Sequence, residues 1–270
     1  MKEDVVSREM ISEALSGAGI GQGESVGLHS SLKSLGFVEG GPETVIRAFQ
    51  DVLTSTGTFI MPTHSYSLPM WQKPPYRRDE SPSVVGKITE VFRNMPGVIR
   101  SEHPTHSVAA WGELAEHFTE DGLKLNPVGE NGPWHRLAKV DGTILMLGCD
   151  LRSCTILHLC ETMASVPYLD VAFTKGQDYE TAHRINEREE VEEFILKPVP
   201  GCSKGFNNAE DYLRKKGVLK DVKILNAESM ILPAKDILEV MTDKLKTDPA
   251  FLLCEDPKCG ICPRRRNRIE

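Results

Sequence analysis

Short apolar runs alternating with helical periodicity narrow what this chain can become more than any other feature. VGLH at 26–29 is read as a strand that leads into the turn SSLKSLG. A helix is expected over 42–53, where Val45, Ile46, Phe49 and Val52 fall on one stripe. TFIMP (58–62) is a second strand and TILMLGC (143–149) a buried third. A helix is expected to start at Ser81, with Pro82 in its first turn and Val84, Val85, Ile88, Val91 and Phe92 at helical spacing. ELAEHFTE is a short helix, and GENGPWHRLAKV is a loop entering another. The stretch TILHLCE (155–161) lies on the helix after the third strand. Strands and helices alternating through Cys160 indicate an α/β layered domain.

Beyond Pro167 the texture changes. VAFTK and EEFILKP are strand-like, NNAEDYLRKKG is a helix with a glycine stop, VKILNAESMILP is a hairpin and AKDILEVMTDKL a further helix. With no repeat and no linker, residues 1–270 are expected to form one domain with a mixed sheet. Its parts are a C-terminal half at about 168–250 and a Cys/Arg-rich tail at 254–270. The glycines of GAGIGQG (17–23) do not form a dinucleotide fingerprint, because they follow a helix and lead into a strand, and their spacing is wrong.

Composition excludes some classes. No apolar run approaches the roughly 20 residues of a membrane span, and the amphipathic, charged N-terminus lacks a signal peptide's apolar core. Seven cysteines, odd in number and unevenly spread, suit a reducing compartment. A cytoplasmic protein with no membrane partner is the expectation. A net charge of −7 argues against nucleic acid and for a cationic or small neutral partner, although acidic surfaces also serve solubility.

Four motifs carry polar chemistry. HSSL ends a strand with two serines, Ser30 and Ser31, which either cap the following turn or stand beside backbone N–H groups that hold an anion. RSEHPTHS (100–107) packs arginine, glutamate and two histidines outside any regular element. An active-site wall suits it better than a zinc site built on His103 and His106, and a hydrogen-bonded corner is the plainer alternative. In the tail, Cys259 and Cys262 form a C-x-x-C pair with Cys254 five residues upstream, weak candidates for a metal beside a solvated basic run. In TILHLCE, His158 and Glu161 share one helical face. The pair is either a core histidine with its partner or a general base oriented by a carboxylate. Cys154 and Cys160 flank it, with nothing to mark either as an activated thiol.

Taken in order, VGLHSSLKSLGFVEGGPETVIRAF, GTFIMPTHS, SPSVVGKITEVFRNMPGVIRSEHPTHSVAAWG and GENGPWHRLAKVDGTILMLGCDLRSCTILHLCE resemble the aminoglycoside 3-N-acetyltransferase family. Order and spacing agree from about residue 24 to 168, and later residues match in general texture only. The resemblance implies a three-layer α/β/α sandwich with a mixed central sheet, acetyl-CoA as co-substrate and no obligatory metal. It also implies acetylation of the 3-amino group of a polycationic aminoglycoside, and hence antibiotic resistance. Ser30, Ser31, Leu32 and Lys33 become coenzyme contacts, with Ser107 near the coenzyme. His158 becomes the base and Glu161 its supporting carboxylate, with His103 a lesser candidate for a catalytic role. The loop 66–80 and the region after Pro167 should shape the acceptor pocket, where Asp170, Asp178 and Glu180 are unassigned candidate acids. A homodimer is compatible with these features but does not follow from them. The competing expectations are an N-acetyltransferase of a biosynthetic amine, such as an amino sugar or aminophosphonate, and a zinc-dependent hydrolase or binding protein.

Overall fold

The computed structural model describes residues 5–69, 72–120, 122–171, 180–196 and 201–270. Strands β1 (Ser25–Ser30), β2 (Thr58–Pro62), β3 (Ile99–Arg100), β4 (Val108–Gly112), β5 (Thr143–Leu147), β8 (Lys220–Ile224) and β9 (Ala227–Pro233) make one sheet in the order β3-β4-β2-β1-β5-β9-β8. β6 (Glu180–Ile185) and β7 (Val191–Leu196) form a separate antiparallel hairpin. The centre β2-β1-β5 is parallel and every outer pairing is antiparallel, so the expected mixed sheet is borne out.

Side-chain alternation divides the core into two layers. Val26, Leu28, Phe59, Met61, Leu145 and Leu147 face one side. There they meet α1 (Arg8–Gly17), α2 (Pro42–Leu53) and α3 (Lys87–Phe92), with Phe59 stacked on Phe49 at 4.7 Å. Ile60, Ile144 and Met146 face the other side. They meet α4 (Ala115–Thr119), α5 (Pro133–Lys139), α6 (Ile156–Met163), α7 (Ala209–Lys215) and α8 (Ala234–Thr247). The result is an α/β/α sandwich. The second layer also takes in Cys254, Ile261 and Cys262, so the tail with α9 (Cys262–Arg266) packs on the same core. Among the described residues no helix is long and apolar enough to cross a membrane.

The expected helix from Ser81 starts six residues late, at Lys87. Tertiary partners claim the backbone that helical bonds would need. The Ser81 carbonyl accepts from Arg100 Nη1 at 2.5 Å, and the Val84 N–H donates to the His64 carbonyl at 2.9 Å. The Ser83 N–H donates to the Glu90 carboxylate, which holds the incoming chain against the first turn of α3. The two-residue β3 had no periodic signal to reveal it. Of VAFTK only Val171 is described, and EEFILKP is described to Leu196.

Gly27 sets how closely α5 approaches β1. A Cβ there would lie 2.8 Å from Leu137 Cδ2 and 2.9 Å from Trp134 Cζ3. Gly27→Ala is expected to cost about 1–3 kcal/mol by overpacking, read as a lower urea midpoint. Gly17→Ala, with nothing within 4 Å, is the control and should leave the midpoint unchanged or raise it.

Candidate active site

Because β1, β2 and β5 run in one direction, their carboxyl ends deliver functional groups to one edge of the sheet. His29 and Ser30 come from β1, Pro62 and His64 from the end of β2, and the segment 152–155 from the turn beyond β5. This is where open α/β sheets bind ligands. The cleft between them holds about 490 Å³, enough for part of a small polar molecule and a thioester arm. Gly201, Ser203 and Phe206 complete its lining from the C-terminal half.

His158 and Glu161, one helical turn apart on α6, form a close pair. His158 Nδ1 lies 2.7 Å from Glu161 Oε2. A carboxylate accepts here, so Nδ1 is the donor, and in the neutral ring the lone pair is on Nε2. The imidazole lines the cleft with only 12% of its side chain exposed, while Glu161 is fully buried. Tyr168 Oη lies 2.8 Å from Glu161 Oε1 and 3.0 Å from the Pro249 carbonyl, so its single hydrogen is placed between two acceptors. Burial and the adjacent Glu161 push the Tyr168 phenol far above its ordinary range, which keeps it a donor. Phe206 closes edge-on against His158 at 4.6 Å. The imidazole is thus fixed in tautomer, plane and position.

A second histidine group forms the other wall. His64, Tyr66 and His106 all line the cleft, with His64 and His106 ring centroids 4.7 Å apart. His64 Nδ1 lies 3.2 Å from Tyr66 Oη, and its Nε2 is buried with no hydrogen-bond partner among the described residues. Burial, reinforced by the neighbouring histidines, lowers the His64 pKa to about 3, so the ring is neutral. His29, stacked on Trp134 at 5.1 Å, is lowered to about 3 by burial alone.

The wall stands on Arg100, which is 5% exposed. Its guanidinium donates to the carbonyls of Thr63 (2.6 Å), Arg78 (2.8 Å) and Ser81 (2.5 Å) and to the Ser107 hydroxyl (3.2 Å). One planar cation therefore ties the ends of β2 and β4 to the segment before α3. Ser107 belongs to this knot: it is fully buried and donates to the Thr63 carbonyl at 2.8 Å. It does not line the cleft.

The other expected site residues fall in different places. Ser30 is in the cleft and Ser31 in an adjoining recess, with Arg152 lining both. Leu32 and Lys33 follow on a 3₁₀ turn, Leu32–Leu35. His103 lies beneath the wall, where its Nδ1 accepts from the His106 N–H at 3.0 Å, a turn-holding position outside the cleft. Cys154 lines the cleft, but burial pushes its thiol up; Cys160 is buried, with its thiol also raised, and its Sγ donates to the Ile237 carbonyl. Neither is disposed to act as a thiolate. Asp170 pairs with Arg268, and Asp178 and the Glu180 side chain lie outside the described residues. The three tail cysteines lie outside the cleft. Tyr66 and Phe206 fall in segments expected to shape the acceptor pocket, whereas sequence reasoning did not single out His64, Arg152 or Tyr168.

A family model described as aminoglycoside 3-N-acetyltransferase matches residues 28–246. Aminoglycoside N(3)-acetyltransferase IV of a Salmonella species is 30% identical over 256 residues, covering 94% of this chain and 92% of that protein. Aminoglycoside N(3)-acetyltransferase VII of Streptomyces paromomycinus is 29% identical over 263 residues, covering 87% and 89%. Among solved structures, a histidine-to-alanine variant of aminoglycoside acetyltransferase AAC(3)-IVa in complex with a gentamicin superposes with a TM-score of 0.86. It is 27% identical, over 99% of each chain.

The buried histidines make stability pH-dependent. His29, His64 and His103 have folded pKa values lowered to about 3, 3 and 4, and His106 is lowered well below its ordinary value. Unfolded, each binds a proton near pH 6.5, so their contribution is complete above that pH and is lost as pH falls toward the folded values. The urea midpoint should therefore drop steadily from pH 7 to pH 5. His103→Asn, which keeps an acceptor near Nδ1 without titrating, should make that slope shallower.

Proposed function

Because this chain belongs to the aminoglycoside 3-N-acetyltransferase family, we propose that it transfers the acetyl group of acetyl-CoA to the 3-amino group of an aminoglycoside. In this reading His158 is the base. The observation that carries the assignment is the 2.7 Å contact of His158 Nδ1 with buried Glu161, which leaves Nε2 as the basic nitrogen of an imidazole lining the cleft.

The chemistry follows from that tautomer. An ammonium group is not a nucleophile, so the acceptor nitrogen reacts as the neutral amine, its first proton released to solvent. Nε2 takes a second proton from that nitrogen as the lone pair attacks the thioester carbonyl. The Glu161 carboxylate stabilises the imidazolium that results. The carbonyl π electrons move onto oxygen, where a hydrogen-bond donor of the cleft is required, and return to re-form the carbonyl as the C–S bond breaks. When the C–S bond breaks, the coenzyme thiolate takes the proton from His158. No acyl-cysteine is required.

The coenzyme is assigned to the Ser30–Ser31 corner, with Ser30 toward the thioester, Ser31, Leu32 and Lys33 beyond it, and Arg152 for phosphate. The loop containing Tyr66 and the segment containing Gly201, Ser203 and Phe206 bound the acceptor within a single 270-residue domain.

Thiol release from acetyl-CoA over an aminoglycoside panel that includes gentamicin and apramycin tests this reading. His158→Ala should lower kcat by about 10²–10⁴-fold, and undiminished turnover would remove the base assignment. Silence across the panel while acetyl-CoA still binds would transfer the activity to a different amine acceptor.

A further inference from the structure

Four of the seven cysteines converge although they come from two distant parts of the chain. Cys202 sits just before a 3₁₀ turn, Phe206–Asn208; Cys254 follows α8; Cys259 and Cys262 lie at the entry to α9. Their four sulfurs all lie within 4.8 Å of one another. Cys202 Sγ is 3.8 Å from Cys254 Sγ and 3.6 Å from Cys259 Sγ. A disulfide would bring two sulfurs to about 2.0 Å, so this is not a bridged pair. A zinc–sulfur bond of about 2.3 Å, tetrahedrally disposed, separates sulfurs by about 3.8 Å. The observed spacing is that of a four-thiolate cage rather than of redox partners.

We propose that Cys202, Cys254, Cys259 and Cys262 bind one zinc ion as a closed structural site. All four positions are protein sulfur, which leaves no open position for water or substrate, as expected of structural rather than catalytic zinc. The Cys262 N–H donates to Cys259 Sγ at 3.5 Å, an outer-shell bond that favours a thiolate at that ligand. Zinc with four thiolates carries a net charge of −2, and the chain surrounding it is basic. Lys204 stands two residues after the first ligand, and Lys258, Arg264, Arg265 and Arg266 lie beside the last two. Arg266 also donates to the Leu253 and Cys254 carbonyls, which closes the turn around its own ligand. Glu255 and Asp256 also flank Cys254, and Lys204 pairs with Asp256 at 2.8 Å, so the positive groups beyond that pair are Lys258 and the arginines of the tail.

The site has a purpose in the fold that does not depend on any reaction. Cys202 lies between Gly201 and Ser203, which line the cleft, and four residues before Phe206, which contacts His158. On the other side, α9 carries Arg265, 1% exposed, with its guanidinium carbon 5.4 Å from the centre of the Tyr168 ring. Two of its guanidinium nitrogens have no hydrogen-bond partner among the described residues, so the contact with the Tyr168 ring depends on where α9 is held. Tyr168 in turn holds Glu161. One ion would thus pin both supports of the His158–Glu161 pair.

Metal analysis of the full chain, purified without chelator, should give about one zinc per protein, released when a mercurial blocks the thiols. Cobalt supplied in place of zinc should give the sulfur-to-metal charge-transfer and tetrahedral d–d bands of a four-thiolate site. Cys202→Ser and Cys262→Ser should each retain less than a tenth of the zinc. Zinc removal from the wild type should increase hydrogen exchange at 201–206 and 254–266 while the central sheet stays protected. Protein that holds no zinc and takes up none when it is supplied would overturn the proposal, as would resident iron or a disulfide among these cysteines. Exchange that rises uniformly along the chain would overturn the local pinning role. None of these readouts uses acetyl transfer, so they stand or fall apart from the catalytic reading.

Discussion

The parallel pairing of β2, β1 and β5 is the constraint on which the rest of the molecule depends. Parallel neighbours bring like ends together, so three chain segments far apart in sequence turn outward at the same edge. His29, His64 and the segment before α6 meet there and nowhere else. The register depends on close contact as well as on hydrogen bonds. Gly27 lets Trp134 and Leu137 lie against β1, and Trp134 then stacks on His29. Packing in the layer behind the sheet thereby positions a ring in front of the cleft.

Around that edge, polar groups are placed by opposite strategies. Glu161 is buried and has two partners, His158 and Tyr168, so it orients one imidazole. Arg100 is also buried, yet its partners are backbone carbonyls and a hydroxyl, so its charge organises loops. Burying a charge is expensive unless its hydrogen bonds are satisfied. Here the desolvation is offset by bonds that regular secondary structure cannot supply, because the segments concerned are irregular. The same demand delays the start of α3: the Ser81 carbonyl is turned toward Arg100 and the Val84 N–H toward the His64 carbonyl rather than along a first helical turn.

The histidines divide by environment in a similar way. His158 has a carboxylate partner and a face toward the cleft. His29, His64, His103 and His106 have no carboxylate partner among the described residues, and burial keeps them neutral. A neutral ring can donate or accept a hydrogen bond without adding charge to its surroundings. The histidine-rich wall is therefore a set of fixed dipoles beside the carboxylate-paired ring of His158.

Sequence alone determined the class of fold and the pairing of His158 with Glu161. Apolar runs with a change of period announce buried strands followed by helices, and an i, i+3 pair on one helix is a local geometric fact that tertiary structure can only bury or expose. The ends of α2 and β2 were legible for the same reason, since proline, glycine and periodicity act locally, whereas the third strand was read to Cys149 and ends at Leu147. Tertiary structure alone decided which loops meet. Ser107 and His103 stand in a polar stretch that reads as cleft wall, but three-dimensional packing turns them toward Arg100 and the turn of His106. Tyr168 gave no signal because its partner, Glu161, is reached across a helix end. Cys202 stayed hidden because 51 residues separate it from Cys254. Spacing rules describe contacts within a turn of the chain, whereas the assembly of these groups depends on where the sheet directs each strand.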